Sequence, residues 1–356
     1  MWRVVLSLFL LAFTACAFPV PPVGPGPATR GQPFDRVLAP FEDGALLPAE
    51  LRAIPYASGR AYALLVLLPS PGAVDLSDPG RAQRGLAAFL NPLAILRAGT
   101  SVGHVMVGWH CAGGQAGLTS KTGDSQGRGY RMLRQGWGMG ALLATYDDGH
   151  LLTLDAMPAR HRRALRTGQA RIVALEIAES RCQRMRRALA GYLARPQAER
   201  GHYTLVPSAE HPLGDACASF ALWLAGEGGA VGALPQALLR PVTLRDSFVG
   251  LGTDPGPGLM PLRTEATRPL SLTRLLTTDW AGGATVGQVP LLDMELLQLA
   301  LERAEARAGH PRPPRIPLDN HVTQSALTAA EAWAGRWPLA EAFEAGQARG
   351  VLLGYP

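Results

Sequence analysis

The chain has 356 residues, 47% of them hydrophobic and 17% charged, so it can bury a sizeable core and is not a disordered tail. Its net charge of +6 is carried almost entirely by arginine, since Lys121 is the only lysine. Acidic residues are interspersed throughout and no block of like charge appears, which argues against a dedicated nucleic-acid role. Thirty prolines and 41 glycines imply much turn and loop.

Residues 1–17 follow the order of an export signal: a short positive start at Arg3, an apolar run from Val4 to Phe13, then the small residues Thr14-Ala15-Cys16-Ala17. That run, about ten residues long, is too short to span a bilayer as a helix. Two processing routes stay open. Ala15-x-Ala17 suits cleavage after Ala17, giving a secreted or periplasmic protein. Phe13-Thr14-Ala15-Cys16 is similar to a bacterial lipobox, in which Cys16 becomes the lipidated first residue of an outer-membrane lipoprotein. Residues 18–33, rich in Pro and Gly, read as an extended tether. No later segment reaches about 18 uninterrupted apolar residues, the length expected of a membrane-spanning helix.

From 34 to 250 the pattern is that of a mixed domain. Ala61–Leu68 is a continuous apolar run closed by Pro69, the signature of a buried strand. Ser101–Cys111 reads as a strand, Gly113-Gly114 as its turn, and Leu118–Thr122 as the returning strand. Leu142–Tyr146 and Leu151–Met157 flank Asp147-Asp148-Gly149 and read as a second hairpin. Arg171–Ile177 is a further strand, followed by a helix over 179–193 with Cys182, Met185, Leu189, Tyr192 and Leu193 on one face. Arg181, Arg184, Arg186 and Arg187 on its other face are expected to be solvated. A short strand at Tyr203–Val206 precedes a helix over 216–224 closed by Gly226. Strands preceding helices, rather than alternating with them, give an α+β class with a small antiparallel sheet packed on helices. Residues 251–356 read as a helical extension, with helices at 291–308, 323–333 and 338–350.

Four cysteines are present: Cys16, Cys111, Cys182 and Cys217. With Cys16 removed or lipidated, three remain in an oxidising compartment, and an odd count leaves one thiol free. Cys217 stands in the first turn of its helix, after the loop residues Gly214 and Asp215. There, free N–H groups and the helix dipole can depress a thiol pKa and stabilise an oxyanion. His104 opens the strand Gly103-His104-Val105-Met106-Val107. His104 and His110 lie six residues apart, roughly 20 Å along a strand, so they cannot share one metal ion. No zinc-type spacing occurs, and neither metal nor cofactor is expected.

The order of elements carries more than either residue. Gly103-His104-Val105, then Tyr203, then Cys217-Ala218-Ser219-Phe220-Ala221 resembles the permuted branch of the NlpC/P60-like, papain-related cysteine enzymes, which include lecithin:retinol acyltransferase-like proteins. The resemblance covers residues 100–227. It implies a permuted papain-like core, with Cys217 as nucleophile, His104 as base, and an envelope peptide, amide or acyl group as substrate. Two departures stand out: Ala216-Cys217-Ala218 replaces the frequent Asn-Cys-Thr, and no His, Asn or Gln occupies the strand that should orient the imidazole. Pairing about Gly113-Gly114 sets residues 120–123 opposite His104, making Ser120, Thr122 and Asp124 candidates for that third role. The expected function is an exported cell-envelope cysteine hydrolase. The alternatives are a lipid or lipoprotein acyltransferase using the same pair, or an inactive envelope-binding module of the same fold. Membrane contact is expected through a lipid on Cys16, and no nucleic-acid partner is expected.

Overall fold

The structure is a computed structural model. It describes residues 34–87, 103–123, 127–298 and 349–352, apart from positions 69, 73, 77 and 210, together with Leu93. The signal, the tether, Cys16, Asp124 and the helix expected at 323–333 lie outside the described residues, as does most of the helix expected at 338–350.

The protein is α+β, built on a five-stranded antiparallel sheet. Its strands are β1 (Ala61–Leu68), β2 (His104–His110), β3 (Ala116–Thr119), β7 (Arg171–Ile177) and β11 (Arg349–Leu352), in the order β11-β7-β1-β2-β3. Every residue of β1 is buried because helices cover both faces of the sheet, which is why its sequence is apolar without alternation. One face receives α1 (Phe34–Glu42), α6 (Glu179–Leu193) and α8 (Cys217–Glu227), packed on Ala63, Leu65, Val105, Val107 and Trp109. The other receives α2 (Ala49–Arg52) and α5 (Ala159–Arg166), packed on Leu64, Val66, Met106 and Leu118. Further short helices are α3 (Pro79–Ala87), α4 (Arg128–Arg134), α7 (Gln197–Arg200), α9 (Leu234–Ala237) and α10 (Leu272–Thr277).

A disulfide joins Cys111, just past β2, to Cys182 on α6. Nearby, Trp109 Nε1 donates to Glu42 Oε1 at 2.7 Å, and Arg186 Nε donates to the same oxygen at 2.6 Å. Arg186 also reaches Asp35 at 2.9 Å. Arg186 is therefore buried, contrary to the solvated face expected for it, because α1 lays two carboxylates against that side of α6.

The second hairpin does not form. Only Thr145–Tyr146 (β5) and His150–Leu151 (β6) are extended; β6 pairs with β4 (Lys121–Thr122), and β5 with β9 (Leu259–Met260). Tyr203 contributes an isolated bridge to Tyr146 in place of a strand. The intervening loop is pinned outward: Arg128 binds Asp147 at 2.6 Å and Asp148 at 2.8 Å, and Gly149 packs on the backbone of Gly201 and His202. β8 (Leu239–Arg245) pairs with β10 (Thr285–Leu292), around a second core with Trp137, Phe248, Leu270 and Trp280. Residues 291–292, expected in a helix, finish β10; the chain turns helical only from 294, after Asp293 accepts from the N–H groups of Glu295 and Leu296. Residues 349–350, expected in a helix, pair with β7 as part of β11.

Candidate functional site

The site grows from a break in the β2–β3 ladder. The pairing Val107–Thr119, continued three steps, would set His104 opposite Thr122. Instead the chain peels away after Thr119: Ser120 O accepts from Leu152 N, and Lys121 and Thr122 pair with β6. Among the described residues, the edge of β2 at His104 and Val105 is thereby left without a strand partner on that side. Two groups use it.

The first is the Cys217 thiol. It receives the Val105 N–H and the Tyr203 hydroxyl, together with the N–H groups of Cys217 and Ala218. Ala216 precedes the helix and has no side-chain oxygen, so it does not compete for those N–H groups; Ser219 Oγ instead accepts from Ala216 N at 2.7 Å. The departure from the Asn-Cys-Thr pattern thus leaves the first-turn donors to the sulfur. Gly123 lets Tyr203 approach: a Cβ there would stand 2.4 Å from the Tyr203 ring.

The second is His104. Its Nε2 is hydrogen-bonded to Ser120 Oγ at 2.8 Å, and its ring stacks on His161 of α5 with centroids 5.0 Å apart. Strand alternation puts the His104 side chain with Met106 and Ser120 on the α5 side, whereas α8 packs on the Val105 side. The imidazole belongs to β2 and the thiol to α8, which meets the next strand residue, Val105; the two groups therefore reach the open end of β2 from opposite layers. Thr122 lies on β4 and pairs with His150. Of the two described candidates for the orienting role, Ser120 is the one bonded to His104.

Burial governs the electrostatics. It lowers His104 to about 4, helped by the charge of Arg160, so the ring is neutral at ordinary pH and a weaker base than a free imidazole. His161 is lowered as well, by burial and by the charges of His104 and Arg160. The Cys217 thiol is raised, because burial outweighs all four hydrogen bonds to sulfur. This corrects the expectation of a thiol acidified by its helix terminus. The resting pair is a neutral thiol and a neutral imidazole, and a proton must move before sulfur can attack.

With Cys111 and Cys182 joined, Cys217 is the free thiol among the described residues. Among the described residues, the grouping with metal-like proximity is Cys111, Glu179 and Cys182. Its sulfurs are bonded to each other, and Glu179 accepts from Ala112 N at 2.7 Å, so the group offers no thiolate ligand. Two surface grooves of about 310 Å³ each lie elsewhere: one between residues 45–52 and α5, the other along α8 from Pro212 to Gln236. Neither is lined by Cys217 or His104. Among the described residues no helix is long and apolar enough to cross a membrane.

Sequence reasoning missed two partners in the site. Tyr203 entered only through the order of motifs, yet its hydroxyl meets the thiol. Lys121 and Asp215 form a buried ion pair at 2.5 Å between the strand of Ser120 and the loop of Cys217. The single lysine of the chain, standing in Thr119-Ser120-Lys121-Thr122 next to the expected site, was the available signal. No protein-family model, no curated protein and no solved structure matches the chain.

Proposed function

We propose that this chain is an exported cysteine hydrolase of permuted papain-like order, acting on an amide or peptide bond of the cell envelope. The observation that supports it most is the 2.8 Å bond from His104 Nε2 to Ser120 Oγ, on the residue next to the N–H that meets the Cys217 thiol. In this reading the base with its orienting group and the nucleophile reach the open end of β2 from its two faces, and the pair acts across that end. With Nε2 engaged by Ser120, Nδ1 is the ring atom left to take the thiol proton.

In this reading His104 accepts the proton of Cys217 as sulfur attacks the substrate carbonyl. The first-turn N–H groups of α8 hold the oxyanion, and Tyr203 fixes the sulfur before attack. The imidazolium returns its proton to the leaving amine as the C–N bond breaks, leaving a thioester. Water then attacks, His104 accepts its proton, and the thiol is released when that proton returns to sulfur. Export is supported by the Cys111–Cys182 disulfide, which belongs to an oxidising compartment, and by the signal pattern of residues 1–17. A lipid on Cys16 would hold the domain at a membrane surface through the 18–33 tether.

A second reading is favoured by the raised thiol and by the absence of Cys217 from both grooves: an inactive envelope-binding module of the same fold. Alkylation with iodoacetamide at pH 6 separates the two. The hydrolase reading expects Cys217 to be modified at a rate that falls on the order of tenfold or more in His104→Ala. Indifference to that substitution would leave the binding module.

A further inference from the structure

Lys121, the only lysine of the chain, is fully buried on β4, one residue after Ser120. Its ammonium lies 2.5 Å from Asp215 Oδ2 and 5.3 Å over the ring of Tyr192 on α6. Asp215 is buried too, two residues before Cys217. Its backbone is tied to Thr204, with Asp215 N donating to Thr204 O at 2.8 Å. The other charged or titratable groups facing the pair are His211, whose Nε2 is 3.7 Å from the same carboxylate oxygen, and Arg195, whose charge acts on Lys121.

A buried ion pair is a poor source of stability. Desolvation of both ions offsets their attraction, and an apolar pair of equal volume commonly holds a core as well or better. Lys121 bears this out, since burial lowers it to about 8 in spite of the carboxylate beside it. What such a pair does supply is a short electrostatic tie between two chain segments. Here the segments matter. One end is covalently next to Ser120, which bonds His104; the other is in the loop that delivers Cys217 to the open edge of β2. The pair spans the same break in the ladder that the thiol and the imidazole approach from opposite layers.

We propose that the Lys121–Asp215 ion pair is a positioning device that sets the Cys217 thiol against the His104–Ser120 pair. The inference rests on the cysteine-hydrolase reading above. Neither residue touches substrate; both act through the backbone on either side of the break.

The test uses the full chain with its disulfide intact. Iodoacetamide alkylation of Cys217 is followed by mass spectrometry from pH 5 to 9 in wild type, His104→Ala and the double variant Lys121→Met/Asp215→Leu, beside thermal unfolding of each. The double variant should stay folded, while its His104-dependent alkylation falls on the order of ten- to a hundredfold, the cost of a misplacement near 1 Å. A folded double variant with the wild-type pH–rate profile would overturn the proposal. If the double variant does not fold, Asp215→Asn decides, because it keeps the shape and removes the charge. A fall of roughly threefold or more there supports positioning; an unchanged profile overturns it. The two readings fail separately. Alkylation indifferent to His104→Ala removes the cysteine–histidine chemistry itself, whereas His104-dependent alkylation that ignores the ion pair removes the positioning role alone.

Discussion

The main sheet and the second core hold themselves together by different means. The sheet is covered on both faces, and its α6 layer is fastened to the end of β2 by the Cys111–Cys182 disulfide. The second core, around Trp137, Phe248, Leu270 and Trp280, has no covalent fastening among the described residues and is closed by the long β8–β10 ribbon. The first region is secured by a cross-link and a buried strand, the second by apolar packing and the ribbon. The candidate site lies at the edge of the better-secured region. That is where groups must be held to a fraction of an ångström.

This contrast can be broken at three points, taken from the largest effect down. Replacing Cys111 and Cys182 by alanine should lower the unfolding free energy by roughly 4 kcal/mol, the chain-entropy value for a separation of 71 residues, as read by urea denaturation. A loss below about 1 kcal/mol would mean that packing, not the cross-link, secures the sheet layer. Next is Trp280→Ala, which removes a buried ring stacked on Phe248 at 5.2 Å and a bond from Nε1 to Leu275 O. It should cost about 3 kcal/mol. Hydrogen exchange should quicken in β8 and β10 while β1 and β7 stay protected; equal quickening in all four would show one cooperative unit.

The smallest effect sharpens the seam between the regions. Asp293 ends β10, binds Arg240 at 2.9 Å, and leads into Leu296 and Leu297 of the sheet-side core. Burial raises its carboxyl from 3.8 to about 6, against the pull of Arg240. Because the folded value lies above the unfolded one, folding favours the neutral acid. Its contribution is full below the unfolded value and is lost as pH rises through the folded one. The melting temperature of wild type relative to Asp293→Asn should therefore fall between about pH 4 and pH 6.5. A difference that stays flat with pH would remove this titration from the seam.

The parts legible in the sequence are those whose signal is local. Ala61–Leu68, Arg171–Ile177 and Glu179–Leu193 form at the expected bounds, because a continuous apolar run or a helical period needs no distant partner to be seen. Ser120 could be reached by counting register from Gly113-Gly114. β5 and β6 could not, since their partners are Leu259–Met260 and Lys121–Thr122 rather than each other. Arg186 misled for the same reason: the carboxylates that bury it lie on α1, some 150 positions away along the chain. The thiol misled differently. Its place at a helix start was readable, but the weight of burial over hydrogen bonding depends on what closes around it.

The burial of Lys121 also fixes how the protein meets its surroundings. No lysine side chain reaches solvent, so amine-directed dyes, aldehyde cross-linkers and acylating agents find no side-chain target on the folded surface. Its positive surface is guanidinium throughout, and such a surface keeps its charge in alkali strong enough to discharge ordinary amines.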